Sequence, residues 1–413
     1  MAALLAFRDF VDDALFHPRW GYYATGAVRF GLGGHYDTYP LALSPAFGEM
    51  VAAQAARVWR SYGRPRRFEL CEIGAGNGQL ATDVLLAVAA RGVRWAAFAR
   101  ALRYRIVERS PALVARQRAA LGPLATRVVW TRADLVRGVP RGAPFAGAGL
   151  VFGNEVLDCF APDRVVTRPD GTLATTFVAA RLGRRPLDRA GLARAMAAPG
   201  ARRRVRFREV ERPLAAVPGL AGFLRRHVPE LGRRRGAPPY FACRQLEPFL
   251  AHVARLYRRS EAIFVDYGDR RAYHLTAPER RRLVAGPPRS GRSVYADPGR
   301  DDVTVMVDFS AVESAARAAG WRVVAYGPQA LLARGTGVRL DVRAADRIAR
   351  ARALGWLLGA LGVGPEHAWR AGAVTFGRGA GTRESLLAAV RRDVDEFRGA
   401  RPTPFRLVRL RHP

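Results

Sequence analysis

The chain has 413 residues, of which 49% are apolar, and its 68 basic and 35 acidic residues give a formal net charge of +33. This length and apolar content exclude a disordered chain and predict one large domain with an insertion, or two to three domains. The chain contains no apolar run of about 18 residues, and charged residues interrupt its N-terminal apolar stretch, so we expect neither a membrane span nor a signal peptide. The expected compartment is the cytoplasm.

The net charge is less informative than its size suggests. Such a charge ordinarily indicates a polyanionic partner such as nucleic acid. All 68 basic residues are arginine, however, and only two asparagines occur, which is the bias expected of a very GC-rich genome. Residues 161–260 hold 22 arginines against 7 acidic residues, so the basicity is concentrated in one segment. Because this bias explains most of the charge, we do not expect nucleic acid as the partner, although residues 161–260 are basic.

No metal site is predicted. The three cysteines, Cys71, Cys159 and Cys243, are an odd number at wide spacing, which fits neither a disulfide framework nor a zinc site. His252 and His274 have no partners at ligand spacing. We therefore expect free thiols and no bound metal.

The predicted elements change character along the chain. Residues 1–66 are expected to form helices around a lid loop rich in glycine, proline and tyrosine. From residue 67, short apolar runs alternate with alanine-rich helical stretches, as in FELCEIGAG followed by ATDVLLAVAARG. This alternation predicts βαβ units and a parallel α/β sheet. It stops near residue 160, where a hairpin turning at Pro169, Asp170 and Gly171 is predicted, and it resumes near residue 246.

These changes predict five consecutive segments. They are an N-terminal helical and lid region (1–66), the first half of the core (67–160), an inserted basic cap (161–245), the second half of the core (246–345) and a helical C-terminal extension (346–413).

The segment EIGAGNG, residues 72–78, follows a predicted strand and precedes a predicted helix. Gly74, Gly76 and Gly78 permit unusual dihedrals and let backbone N–H groups and a helix N-terminus approach a ligand. That geometry alone would suit NAD, FAD or S-adenosylmethionine. For Asn77 two roles stay open: it tolerates a left-handed conformation, or its amide orients the carboxylate of a methionine moiety.

Three acidic residues discriminate between these ligands. Glu72 immediately precedes the loop, where it would repel a pyrophosphate but suit a cationic amino group. The next strand ends in Glu108, 30 residues after Gly78, whereas a dinucleotide site places its ribose acid about 20 residues on. Asp134 follows the third strand and is expected to meet an adenine amino group. Together they favour S-adenosylmethionine as cofactor.

The motifs CEIGAGNG, IVERS and TRADL together resemble a class I methyltransferase. This resemblance implies a Rossmann-like sheet, with Glu108 at the ribose and Asp134 at the adenine. Further motifs, among them GYYATG, FGEMVA, GNEVLDCFAPDRV and YADPGRDDVTVMVDFSAV, resemble the MidA family over about residues 15–340. That family includes a mitochondrial complex I assembly factor that methylates an arginine of a complex I subunit.

Segments expected to face the methyl acceptor depart from the family pattern. DTYPLALSP lacks the family's acid and has an extra residue, and Gly34, His35 and Tyr36 replace its Gly-Asp-Phe. These departures weaken any transfer of the arginine substrate from the family.

The segment GNEVLD follows the fourth predicted strand of the core, where a class I methyltransferase places the transferable methyl group. Asn154, Glu155 and Asp158 are the predicted catalytic residues, with Asn154 also beside the cofactor. Paired carboxylates can hold a guanidinium in bidentate fashion and accept its proton. In the structural alternative, Asp158 satisfies backbone donors and Asn154 bridges the strand end. Asp266, after the fifth strand, is expected either to line the acceptor pocket or to cap the following turn.

The sequence therefore predicts an S-adenosylmethionine-dependent methyltransferase of the MidA type that acts on a protein side chain, with arginine as the first candidate. Two alternatives remain: a small-molecule O- or N-methyltransferase of specialised metabolism, and a methyltransferase-fold assembly or binding protein with little catalysis.

Overall fold

The computed structural model describes residues 4–26, 28, 38–145, 147–233, 237–286, 292–360 and 383–413. Most of the predicted lid loop, including Gly34, His35 and Tyr36, lies outside these ranges. The described strands are β1 (Leu4–Ala6), β2 (Phe68–Ile73), β3 (Leu102–Glu108), β4 (Val128–Arg132), β5 (Ala148–Asn154), β6 (Asp163–Thr167), β7 (Leu173–Leu182), β8 (Arg185–Leu187), β9 (Val205–Pro213), β10 (Tyr240–Ala242), β11 (Ser260–Asp269), β12 (Leu283–Ala285), β13 (Val303–Val305), β14 (Val307–Asp308), β15 (Arg322–Pro328) and β16 (Phe405–His412).

The described α-helices are α1 (Phe7–Phe16), α2 (Tyr39–Ala42), α3 (Ala46–Ser61), α4 (Gln79–Ala90), α5 (Ala96–Ala101), α6 (Pro111–Leu121), α7 (Arg189–Ala197), α8 (Pro199–Arg202), α9 (Leu220–His227), α10 (Leu246–Ala254), α11 (Arg271–His274), α12 (Phe309–Ala318), α13 (Val342–Ala360) and α14 (Arg383–Arg398). Short 3-10 turns occur at Gly92–Trp95, Gly122–Arg127, Leu214–Ala216, Leu231–Arg233, Glu279–Arg281 and Gln329–Ala333. In the part of the chain that the structure describes, no helix combines the length and the apolar character needed to cross a bilayer.

The chain forms two compact units, each assembled from three separate segments. The parallel-sheet unit comprises Arg29–Val156, Ala251–Tyr267 and Gly320–Pro413. The antiparallel-sheet unit comprises Met1–Val28, Leu157–Leu250 and Gly268–Ala319. This grouping differs from the five consecutive segments expected from the sequence. The difference arises because strands far apart in the chain pair with one another, and local alternation of strands and helices does not report such pairing.

Seven strands lie side by side in the order β15-β16-β11-β5-β2-β3-β4, and β14 also pairs with the end of β11, which makes a sheet of eight described strands. Its strands are parallel except β16, which pairs antiparallel with β11 and β15. The chain moves outward from β2 to β4 on one side and returns to β5 on the other side of β2. The strand order therefore reverses between β2 and β5, the kind of switch point at which open α/β sheets bind ligands beside the carboxyl ends of their strands. This arrangement confirms the predicted Rossmann-like α/β sheet.

Close packing of two helices onto this sheet explains the motif FGEMVA. An ideal Cβ atom on Gly48 of α3 would lie 2.3 Å from the Cβ atom of Asp83 on α4. Only glycine allows the two helices to approach this closely. The apolar residues of both helices then join those of β2, β3 and β5 in one buried core. Helix α4 begins directly after the loop that follows β2, so this packing also holds the loop in place.

The C-terminal segment differs from the expected helical extension. Beyond α13 and α14, the residues Phe405–His412 form β16, which lies between β15 and β11 in the sheet. The physical reason is visible in FRLVRLRH, where Leu407, Val408 and Leu410 are buried. Arg409 and Arg411 both pair with the fully buried Glu261 of β11. The arginine-rich composition of the tail concealed a short apolar strand.

The antiparallel-sheet unit contains the sheet β1-β7-β6-β10, with β8 and β9 also paired to β7. All these pairings are antiparallel. The hairpin predicted at Pro169, Asp170 and Gly171 joins β6 to β7, and Gly171 has a φ of 85°. The segment expected as an inserted cap thus supplies most of a sheet that also includes β1 from the N-terminus.

Candidate functional site

Three glycines shape the loop between β2 and α4. The φ angles of Gly74, Gly76 and Gly78 are 67°, 52° and 88°, a region in which other residues are strained. In the described residues only Arg64 and Glu155 adopt positive φ without being glycine. Of the two roles left open for Asn77, the left-handed conformation is therefore not the one that it adopts.

Asn77 instead stabilises the turn into α4. Its side chain is buried, and Oδ1 accepts a hydrogen bond from the backbone N–H of Gln79 at 3.1 Å. This bond satisfies a donor in the first turn of the helix. The role of its amide at a methionine carboxylate remains a prediction.

Glu72 is a buried carboxyl group immediately before the glycine loop. Burial raises the pKa of Glu72 to about 7, a hydrogen bond from Tyr104 opposes this shift, and the charge of Glu108 adds to it. The hydroxyl of Tyr104 donates to Oε2 of Glu72 at 2.6 Å. Among the described residues, no arginine forms an ion pair with this carboxyl group. It is therefore poised to lose its proton when a cation approaches.

Glu108 ends β3, and its carboxylate accepts hydrogen bonds from Arg109, Ser110 and Gln117. The backbone N–H of Ser110 donates to Oε1 at 2.9 Å, and Nε2 of Gln117 donates to Oε2 at 3.2 Å. Burial raises the pKa of Glu108, whereas these two hydrogen bonds lower it. A carboxylate has about four acceptor positions, so the group retains the capacity to bind hydroxyl donors such as those of a ribose.

Asp134 lies in the loop after β4 and is paired with two arginines. Its Oδ2 lies 3.3 Å from Nη2 of Arg109 and 3.3 Å from Nε of Arg137. Its Oδ1 accepts the backbone N–H of Val136 at 3.0 Å. Asp134, which is predicted to bind adenine, thus contacts other residues of the protein in the structure. Its contact with adenine stays a prediction.

Asn154 and Glu155 form the turn at the end of β5. Nδ2 of Asn154 donates to Oε1 of Glu155 at 2.7 Å. The Oδ1 atom of Asn154 is buried and accepts no hydrogen bond from any residue that the structure describes. Glu155 has a φ of 52°, which is uncommon for a long side chain and costs on the order of 1 kcal/mol or more. A buried acceptor without a described donor and a residue with a strained backbone therefore occur side by side.

The turn is fixed by the strands next to it. The N–H of Glu155 donates to the carbonyl of Val265 at 2.8 Å, and the N–H of Val156 donates to Oδ2 of Asp266 at 3.1 Å. Oδ1 of Asp266 accepts the N–H of Tyr267 at 2.9 Å. Of the two roles expected for the fully buried Asp266, the structure shows the capping one.

Val156 connects this turn to the glycine loop. An ideal Cβ atom on Gly74 would lie 3.2 Å from Cγ2 of Val156, and one on Gly153 would lie 3.4 Å from the same atom. The turn after β5 and the loop after β2 therefore pack against each other. Val156 was not predicted as a site residue, because only the polar residues of GNEVLD carry groups that can take part in the chemistry.

Asp158 belongs to the antiparallel-sheet unit, since the division between the units falls between Val156 and Leu157. It is buried, and its carbonyl accepts the N–H of Val305 in β13 at 2.9 Å. The adjacent Cys159 lies 3.3 Å from the hydroxyl of Tyr23, measured from Sγ. The predicted catalytic segment thus contributes residues to both units.

Gln117 is the other residue that the sequence analysis missed. It lies on α6, is fully buried and contacts both Glu108 and the carbonyl of Gly76. A signal was available: Leu113, Gln117 and Leu121 recur at four-residue spacing, and all three are buried. A glutamine on the apolar stripe of a helix indicates a buried hydrogen-bonding role.

The described residues fit S-adenosylmethionine. The glycine loop carries no side chains at its three positive-φ positions, no described arginine pairs with Glu72, and the carboxylate of Glu108 keeps acceptor capacity. The orphaned oxygen of Asn154 offers a hydrogen-bond acceptor at the same carboxyl edge of the sheet. Within the described ranges, no group of three metal-ligating side chains occurs.

Comparison with known proteins agrees with this geometry. A family model described as "Putative S-adenosyl-L-methionine-dependent methyltransferase" matches residues 50–327. A Burkholderia thailandensis structure, described as a "likely methyl transferase" bound to S-adenosyl-homocysteine, is similar with a TM-score of 0.66 and 25% identity. That similarity covers 99% of this chain and 88% of the other.

Two curated relatives match over shorter regions. The mitochondrial protein arginine methyltransferase NDUFAF7 homolog of Drosophila melanogaster is 40% identical over 77 residues, which is 19% of this chain and 17% of that protein. NDUFAF7 of Danio rerio is 31% identical over 81 residues, 20% of this chain and 19% of that protein. The matched region thus spans less than a fifth of either relative.

The family match covers more than half of the chain, and it confirms the resemblance read from the motifs. The chain belongs to this family of S-adenosyl-L-methionine-dependent methyltransferases.

Proposed function

We propose that the chain transfers a methyl group from S-adenosylmethionine to a nitrogen of a protein side chain, with arginine as the acceptor. The observation that carries this proposal is the turn after β5. There, a buried oxygen of Asn154 lacks a donor beside the carboxylate of Glu155. An arginine guanidinium presents five N–H donors and a positive charge, so it could donate a hydrogen bond to the Asn154 oxygen and another to the Glu155 carboxylate.

The relatives support the same acceptor. The names of the matched Drosophila melanogaster and Danio rerio proteins state protein arginine methylation. Because those matches are short, the choice of arginine for this chain depends chiefly on the chemistry of the turn after β5.

The roles of the cofactor residues follow from their positions. We assign the glycine loop and Asn77 to the methionine moiety, with Glu72 at its amino group. We assign Glu108 to the ribose hydroxyls, for which its carboxylate retains acceptor capacity. Asp134 is assigned to the adenine side, together with its partner Arg109.

When bound, S-adenosylmethionine supplies an electrophilic methyl group whose bond to sulfur breaks as the acceptor nitrogen bonds to carbon. In this proposal Asn154 orients the acceptor through Oδ1, and Glu155 localises the guanidinium charge. The carboxylate of Glu155 also takes the proton that the methylated nitrogen releases. The hydrogen bond from Nδ2 of Asn154 orients the carboxylate of Glu155, so alignment contributes much of the rate.

The decisive experiment uses S-adenosylmethionine labelled in the methyl group, with the purified protein and a bacterial lysate. Protein and small-molecule fractions are separated, and the labelled protein is hydrolysed to amino acids. We expect the label in methylarginine. Label confined to the small-molecule fraction would replace the proposal with small-molecule methylation, and label in another amino acid would overturn arginine.

Asp158 is tested separately because it belongs to the other unit. If it serves the acceptor, Asp158→Asn should lower turnover while leaving S-adenosylhomocysteine binding intact. Unchanged turnover would assign the residue to structure, in line with its backbone bond to Val305.

A further inference from the structure

We propose that Gln117 is a positioning residue for the cofactor: it aligns the ribose carboxylate of Glu108 with the glycine loop through a single side-chain amide. This inference rests on the proposed function, in which Glu108 binds the ribose. Gln117 itself has no predicted contact with cofactor or acceptor.

The amide of Gln117 has three hydrogen-bond partners on three different elements. Nε2 donates to the carbonyl of Gly76 at 3.1 Å and to Oε2 of Glu108 at 3.2 Å. Oε1 accepts a hydrogen bond from Nε1 of Trp130 in β4 at 3.2 Å. One side chain of α6 thus joins the loop after β2 to the end of β3 and to the middle of β4.

These partners fix the orientation of the amide. Two of them are acceptors, a carbonyl and a carboxylate, and both need an N–H donor. The third is the indole N–H of Trp130, which can only donate. Rotating the amide by half a turn would set oxygen against two acceptors and a donor against a donor. Gln117 can therefore satisfy this position in one orientation only.

Gln117 also limits the glycine loop sterically. An ideal Cβ atom on Gly78 would lie 3.3 Å from Cα of Gln117 and 3.4 Å from its carbonyl oxygen. The backbone of α6 thus packs against one glycine of the loop, and the side chain holds another. Both contacts act on the segment whose N–H groups would face the ligand.

The bond to Glu108 also affects the charge of the ribose carboxyl group. Burial raises the pKa of Glu108, and donation from Gln117 lowers it. The other charged groups that influence this carboxyl are Arg109, which favours its ionised form, and Glu72 of β2, whose charge opposes it. Removing the Gln117 donor should therefore keep Glu108 protonated to a higher pH.

The test measures dissociation constants for S-adenosylhomocysteine by calorimetry between pH 5.5 and 8 in full-length protein. The variants are Gln117→Met, which keeps the length but removes the hydrogen bonds, and Gln117→Glu, which replaces the donor with a carboxyl oxygen. We expect Gln117→Met to weaken binding about tenfold. The dissociation constant of Gln117→Met divided by that of wild type should grow as the pH falls, because Glu108 of the variant becomes protonated at a higher pH than Glu108 of wild type.

Gln117→Glu should show the opposite trend. Two neighbouring carboxyl groups cannot both ionise without repulsion, so at low pH one retains a proton and can donate it. The loss of affinity relative to wild type should therefore grow as the pH rises. A merely structural role for Gln117 would not give the two variants pH dependences of opposite sign.

Leu121→Ala is the matched control, since Leu121 is buried on the same helix and contacts the core. It should lower thermal stability without changing the affinity ratio across the pH range. If both Gln117 variants bind within twofold of wild type, or follow the control at every pH, the inference is overturned. If the wild-type protein does not bind S-adenosylhomocysteine, the proposed function fails. A further variant, Glu108→Gln, separates the two cases: if it weakens binding and the Gln117 variants do not, the inference about Gln117 fails and the proposed function stands.

Discussion

Buried carboxyl groups have different partners at the two edges of the parallel sheet. The amino edge is formed by the first residues of the parallel strands, and the carboxyl edge by their last residues. At the amino edge, Glu69 near the start of β2 is paired with Arg105 at 2.7 Å, and Glu261 near the start of β11 is paired with Arg409 and Arg411. At the carboxyl edge, Glu72 accepts a hydrogen bond from Tyr104, and Glu108 accepts hydrogen bonds from Ser110 and Gln117 while the charge of Arg109 favours its ionised form.

This difference is informative because arginine is abundant. The chain has 68 basic residues, all arginine, yet among the described residues none forms an ion pair with Glu72 or Glu108. Burying a carboxylate without a cation is unfavourable unless a ligand supplies the charge. Arginines of the chain thus compensate the buried carboxyl groups at the amino edge, whereas Glu72 at the carboxyl edge has, in the function proposed above, the ammonium group of S-adenosylmethionine as its cation. Changes at the first edge should affect stability, and changes at the second should affect function.

The largest expected effect is at the carboxyl edge. Glu155→Gln should lower methyl transfer about a thousandfold, because the acceptor nitrogen loses its proton acceptor. The affinity for S-adenosylhomocysteine should stay close to wild type, as measured by calorimetry on the same preparation. Turnover within threefold of wild type would remove Glu155 from the chemistry.

The next effect is at the amino edge. Glu261→Gln should lower the free energy of unfolding by about 3 kcal/mol, because two arginines lose the buried carboxylate that they share. Urea denaturation measures the change, and cofactor binding by the folded protein should persist. Asp346→Asn is the control: it breaks an exposed pair with Arg350 and should cost under about 0.5 kcal/mol.

A smaller effect is expected in the pH dependence of binding. With the pKa of Glu72 at about 7 in the free protein, a cationic ligand must displace its proton at lower pH. The affinity for S-adenosylhomocysteine should therefore rise about tenfold from pH 6 to 8. Calorimetry in buffers of different ionisation enthalpy should detect proton release below pH 7. Glu72→Gln should abolish this release; if the variant releases the same protons, another group is responsible.

The same carboxyl group predicts the opposite trend for the stability of the free protein. Its folded-state pKa of about 7 lies above the ordinary value of 4.5, so the folded state holds the proton between these values. The stabilisation that the folded state gains from holding this proton is complete below pH 4.5 and is lost as the pH rises through 7. Thermal melts of wild type and Glu72→Gln should diverge over this window, and saturation with ligand should remove the divergence.

The smallest effect tests the strain at Glu155. Glu155→Gly should raise the free energy of unfolding by about 1 kcal/mol, because glycine adopts a φ of 52° without penalty. Activity should nevertheless be lost. Arg64→Gly is the matched control, since Arg64 is exposed with a φ of 55°. It should give a similar gain in stability at full activity. Unequal gains would show that the two positions differ in more than backbone strain.

The sequence was a good guide where the relevant order is local. The glycine loop and Glu108 follow strands that precede helices, and the carboxyl ends of parallel strands meet at one edge. Gln117 was not predicted, because a single glutamine in a helix carries no local signal of which loops it will reach. The two units were not predicted either, since each combines three distant segments. Those features depend on pairing between residues far apart in the chain, such as Tyr267 with Phe405.

The position of β16 has a consequence for biosynthesis. It lies between β11 and β15, yet it follows both in the chain. While the polypeptide is being made, the backbone groups of those two strands that face β16 therefore have no partner until Phe405–His412 has left the ribosome. Unpaired strand edges promote association with other chains. Nascent chains that are cut short before this strand should accordingly be the species that chaperones must protect.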